Sequence, residues 1–519
     1  MARMVASSRA GGSKKQILVT QDDFYDDAVA KEEQAERWAL SDIKKTIRHY
    51  LLAFESYEKG LRAPEATLSG SCHIYYNQTR LLLKMHTDFV ANDGHINILQ
   101  YVNLADLGDL TVLFRPLKSI VERFELTIAE FKDECSWDLH FNLLTCYYSL
   151  LEDYESLTGE EVLQVFEKFK ILGNKLIQLH VQELESWDVT SGDDATADQQ
   201  YGNPAVPETS SQNADAGVQE PESVEMQDEI TAWTLVDTLS MCYRCISTIM
   251  EILIETNNGT LNTMNPIQVG YLNDSAQALK SQLNLFLNST TYVETNSADT
   301  EELNLAIWSI EGLKVAVTDG YEGVKSFMSN LQSAELEKLL IAVDILHLTA
   351  QSFQQNSYTQ LWAVYTEIAR ILSAAESQVA QKRQDIISGR LKDKDNELSP
   401  TVFQLCDVMI SRSDNELFRH MLKTSQLNSN DPSTTDASNA KTAAVLLKNA
   451  QVLLKNAKAI AEKPCGFREY ISDKLKRNYV FKQAEDRLEF MNSGKATPTI
   501  LELAQSNPFY TSISSARNT

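Results

Sequence analysis

With 519 residues, 43% of them apolar, the chain is long enough for more than one core and too apolar to be globally disordered. Its 47 basic and 72 acidic residues leave a net charge of −25, which opposes a nucleic-acid-binding face or an anionic membrane surface and permits a basic protein partner. Nineteen Gly and eleven Pro are few for this length; an all-β chain needs more turns, so the expected fold class is all-α. Seven Cys, an odd number, suit reduced thiols in the cytoplasm or nucleus.

Residues 1–22 are small, polar and mildly basic and are expected to form a disordered tail. From Asp42 the pattern strengthens: Asp42 can cap a helix, and Ile43, Ile47, Tyr50, Leu51, Phe54 and Leu61 share one face. Gly60 and Pro64 end that helix. Tyr75, Thr79, Leu82, Met85 and Phe89 form the next stripe, and Pro116 punctuates before Ile120, Phe124 and Phe131. Trp137–Glu152 reads as a compact helix, with 160–184 as its mate.

Composition then changes. Residues 188–229 hold eleven acidic residues and no Lys or Arg, with Pro204, Pro207 and Pro221 among them. Such a stretch buries too little surface to offset its ordering entropy, and a long acidic disordered insertion between two helical lobes is expected there. Amphipathic segments resume over 230–424. A polar loop is expected at 425–440, C-terminal helices over 441–492, and a tail over 493–519. The hexapeptide VLLKNA occurs twice, at 445–450 and 452–457; spacing by seven keeps one helix face apolar.

Residues 23–187 resemble tetratricopeptide repeats, the 34-residue helical hairpins that stack into α-solenoids. Ser41-Asp42 is similar to the inter-helix turn, with Thr46, Tyr50 and Ala53 at the offsets those repeats fill with Ala, aromatic and Ala. Tyr75-Tyr76-Asn77 resembles the opening of a following first helix, and Phe141-Asn142-Leu143 a second copy. Gln78-Thr79 departs from the usual Leu-Gly, and the period does not continue past Asn142. The resemblance implies a TPR-like protein-binding body whose first helices line a concave face. It makes Tyr75, Asn77 and Arg80 candidate contacts, against a packing role for Asn77.

No Gly-rich nucleotide loop, HExxH or GxSxG motif is present, so no catalytic residue, cofactor or metal site is expected. Cys242 and Cys245 form the one CxxC, inside an apolar helical stripe without further ligands, which reads as core thiols. A basic strip carrying Lys474, Lys476 and Arg477 is a further candidate contact, against a solvated helix face. The expected function is a non-catalytic scaffold or assembly chaperone for a basic protein client. The alternatives are a stable subunit of a larger complex and, third, an enzyme with an unrecognised site. No nucleic acid or membrane partner is expected.

Overall fold

The computed structural model describes residues 18–511 apart from 92–95, 194–228, 262–263, 291–298, 330, 332–334, 354–356, 393–396, 428–435 and 466–468. Every regular element among these residues is helical. By contact the chain divides into two compact units: Met1–Cys135 together with Tyr358–Thr519, and Ser136–Ser357.

In the first unit, α1 (Gln21–Ala39) begins at a reciprocal cap, Thr20 accepting from the Asp23 amide and Asp23 accepting from the Thr20 amide. Asp42 caps α2 (Ile43–Gly60) through the Lys45 amide, as its position before the apolar stripe predicts. Thr67 caps α3 (Leu68–Met85). At Gly60 a Cβ would lie 2.7 Å from Ile74 Cδ1, so the end of α2 meets α3 only because that residue has no side chain. Ala28, Tyr57 and Ile74 close a small core where these helices meet. After Pro116, α4 (Leu117–Phe131) packs on α3.

The second unit holds α5 (Trp137–Glu152), α6 (Gly159–Asp193), α7 (Ala232–Asn258), α8 (Pro266–Ser289), α9 (Asp299–Thr318), α10 (Gly320–Phe327) and α11 (Leu336–Gln351). Helix α7 is its axis, packing against α5, α6, α8, α9 and α11. Its sequence explains why: seventeen residues are buried, distributed around the whole helix rather than along one stripe. Gly259 ends it with φ of 74°, a left-handed turn that costs glycine little.

The chain then returns to the first unit with α12 (Tyr358–Ile387), α13 (Leu398–Leu427), α14 (Asp436–Ala461), α15 (Ile471–Ser493) and α16 (Pro498–Ser506). Helices α13 and α14 form the most extensive pair; the small residues Ala450 and Ala457, each fully buried, let α14 approach closely. The Ile471 amide donates to the Leu40 carbonyl at 3.5 Å, joining stretches far apart in sequence within this unit.

Three expectations change. The acidic segment does not separate two lobes, because α6 and α7, on either side of it, pack together inside the second unit. Helix α6 also runs into that segment as far as Asp193; residues 194–228 lie outside the described residues. The division falls instead near 135 and 357, so the region 230–424 belongs to both units. Second, the expected loop at 425–440 is shortened from both ends by α13 and α14, with 428–435 outside the described residues. Third, 493–519 is not wholly a tail. Thr497 caps α16, Pro498 supplies its first turn, and Ile500, Phe509 and Tyr510 join Leu417, Ala450 and Phe490 in one core. Burying rings of that size contributes roughly 1.5–3 kcal/mol each, enough to hold a short segment in place.

Candidate functional site

The α3 candidates face inward contacts. The Tyr75 ring packs against Phe131 with centroids 5.5 Å apart. Asn77 donates to Tyr25 Oη at 3.2 Å and to the His73 carbonyl at 3.0 Å, and its own oxygen accepts from Arg80 Nε. Arg80 pairs with Glu32 at 2.5 Å, and Glu32, 5% exposed, also accepts from Tyr57 Oη at 2.7 Å. The structure therefore brings Asn77 and Arg80 together in a network linking α1, α2 and α3. That arrangement satisfies polar groups at a helix junction.

The α15 strip does not form one open basic surface. Lys474 is exposed and Lys476 partly so, but Arg477 is 7% exposed. Arg477 grips Glu469 through Nε at 2.6 Å and Nη2 at 3.1 Å, and Nη1 donates to the Ala461 carbonyl at 2.8 Å. A guanidinium held on three sides fastens the end of α14 to the start of α15 and is not open to a partner. Sequence shows charge but not that Glu469, just ahead of the helix, folds back to meet it.

The concave feature with the richest chemistry lies in the second unit. A cavity of about 490 Å³ opens between α5, α7, α9 and α11. Tyr148 and Glu152 come from α5, Tyr154 from the turn after it, Arg244, Thr248 and Glu251 from α7, Glu302 from α9 and Glu337 from α11. Its buried floor includes Ser247 and Ser309, whose hydroxyls lie 2.8 Å apart. Among the described lining residues Arg244 is the one cation, and it already pairs with Glu302.

The remaining carboxylates repel one another. Loss of water around Glu251, then Asp344, Glu255 and Glu152 beside it, push its carboxyl up to about 7. Loss of water on burial pushes the Asp344 carboxyl on α11 up to about 6. Glu251 feels both the loss of water and three neighbouring acids, and its carboxyl is raised further than that of Asp344. Glu255 is additionally held by the Tyr154 hydroxyl at 2.5 Å. Among the described residues no three His, Cys, Asp or Glu converge on a point that could hold a metal ion. The acids are spread around a wall instead.

Sequence reading missed this cavity because its residues come from four helices up to 193 positions apart, Tyr148 to Ile341. One signal was present: Glu251 interrupts the otherwise apolar run Ile249–Ile254 of a helix buried all round. Cys242 and Cys245 sit on the same helix, both fully enclosed, and burial pushes the Cys242 thiol up to about 12. That suppresses thiolate chemistry.

Two family models match, the YNL193W-like protein middle domain over 154–318 and the YNL193W C-terminal domain over 330–514. The chain is also 34% identical over 550 residues to the uncharacterized protein YNL193W of Saccharomyces cerevisiae, covering 97% of this chain and 98% of that protein. The chain belongs to the YNL193W family. No solved structure matches it. The family's middle domain spans α6 to α9, whereas α11 lies within its C-terminal domain. The cavity is accordingly assembled from both family domains together with α5, which precedes them.

Proposed function

We propose that this protein is a non-catalytic helical scaffold or assembly chaperone that holds a basic protein partner, with the second-unit cavity as a recognition point. The observation that carries the reading is the cavity wall, where Glu152, Glu251, Glu302 and Glu337 outnumber Arg244, the one cation among the described lining residues. A surplus of negative charge in a concave site draws cationic groups and speeds their encounter. The net charge of −25 extends the same preference to the whole molecule. Stacking of the hairpins as a TPR-like solenoid, suggested by the turn at Ser41-Asp42, would supply the extended surface such a scaffold uses. Work in the cytoplasm or nucleus fits seven cysteines that form no disulfide.

Affinity purification of the full-length chain with chemical crosslinking tests this reading. A basic protein recovered in fixed ratio, and released as salt rises, is expected. Recovery of no protein, or of one whose attachment ignores salt, would overturn it.

A specific feature favours a second reading, a fixed subunit of a larger assembly. Along α8, Ile267, Tyr271 and Leu285 are 84%, 51% and 71% exposed. Mass photometry separates the two: one large constant species indicates the subunit, small variable ones the chaperone.

A further inference from the structure

We propose that the second-unit cavity receives one arginine side chain of the partner protein, and that its arrival displaces a proton from the carboxylate wall. This rests on the scaffold reading and adds to it the chemistry of capture.

The cavity, at about 490 Å³, accommodates a long side chain with accompanying water. Its acids are distributed rather than convergent, which suits the spread charge and several N–H donors of a guanidinium better than a point-like metal ion. Tyr148 and Tyr154 add rings to the wall, and the Ser247, Thr248 and Ser309 hydroxyls offer acceptors at its floor. Arg244 already resides there against Glu302, so a guanidinium is chemically at home in this lining.

The proton follows from what surrounds Glu251. Helix α5 presents Tyr148 and Glu152, the next turn Tyr154, α9 Glu302, α11 Glu337 and Asp344, and α7 itself Arg244 and Glu255. Of these charged groups only Arg244 is positive, and Glu302 engages it. With its carboxyl pushed up to about 7, Glu251 keeps its proton well above the ordinary carboxylate range. A cation seated beside it favours the ionised carboxylate, opposing that rise, and releases the proton. Affinity should therefore climb as pH rises from 5.5 and level off above about 7.5.

The test is calorimetric titration of the full-length chain with a short arginine-glycine peptide. Controls are the same peptide bearing citrulline in place of arginine, and free spermidine. The arginine peptide should bind more tightly at pH 7.5 than at 5.5, with heats near pH 6.5 that differ between buffers of unlike ionisation enthalpy. Glu251→Gln should weaken it at least about tenfold and flatten the pH dependence, since a hydrogen bond to a charged group is lost. Glu337→Gln, at the exposed rim, repeats the test if Glu251→Gln loses helicity by circular dichroism. Equal binding of the citrulline peptide or of spermidine, or indifference to both substitutions, overturns the proposal. If the crosslinked partner is still recovered with Glu251→Gln, this cavity is not its seat although the scaffold reading survives. A wild-type chain that binds the peptide but recovers no protein sinks the scaffold reading alone.

Discussion

Asp414 in the first unit and Glu251 in the second are both carboxylates set into helical cores, and their surroundings differ completely. Asp414 is met by Arg487 Nη2 at 2.9 Å and Nε at 3.1 Å, and by Tyr510 Oη at 2.5 Å. Asn507 donates to its backbone carbonyl at 3.0 Å. Glu251 instead looks toward Asp344, Glu255 and Glu152. Asp407 stands between these extremes: burial pushes it up to about 6 while Arg487 opposes the rise. The first arrangement spends a buried pair on anchoring the C-terminal segment. The second sets like charges beside one another, the arrangement that the proposed capture of an outside cation would use.

Breaking the satisfied region should give the largest effect. Arg487 is 5% exposed, and Arg487→Ala leaves Asp414 with one fewer charged partner in the core. A loss of about 3–5 kcal/mol is expected in urea unfolding, typical for removing half of a buried ion pair. Loosening of α16, whose neighbours Phe509 and Tyr510 share that core, should appear in the same variant as faster amide exchange.

A smaller effect tests the α3 network. Asn77→Ala removes bonds to Tyr25 and His73 and should cost about 1 kcal/mol, measurable by thermal unfolding. Capture of the partner should be unchanged, because Asn77 ties helices together. The smallest effect belongs to Lys474, exposed on α15: Lys474→Ala should leave stability within about 0.5 kcal/mol of wild type.

Much of the helical plan was legible because its signals are local. Asp42 ahead of Ile43 and Ile47, and the apolar run from Trp137 to Glu152, mark α2 and α5 at their observed bounds. Helix α16 was not legible: nine residues between Gly494 and Asn507 offer too few turns for a periodic stripe, and its stability comes from Phe490 and Leu417 elsewhere in the chain. The same limit hid the cavity. Arg477 and Glu251 are each one charged letter, and only tertiary packing makes one a clasp and the other an unanswered acid.

The pH dependence of stability distinguishes the two regions without any partner. A carboxyl held above its ordinary range in the fold keeps a proton the unfolded chain has lost, so stability falls as pH rises through that window. For Glu251 the window runs from the ordinary carboxylate range to about 7. The histidines His180 and His347, lowered to about 4 by burial, act the opposite way below their ordinary range, and wild type and Glu251→Gln share them. The deciding measurement is the unfolding free energy of wild type and Glu251→Gln from pH 5 to 8. The variant should gain about 1–3 kcal/mol on wild type across that range, most of it by pH 7.5. Parallel profiles would contradict the picture of an unanswered charge at the heart of the second unit.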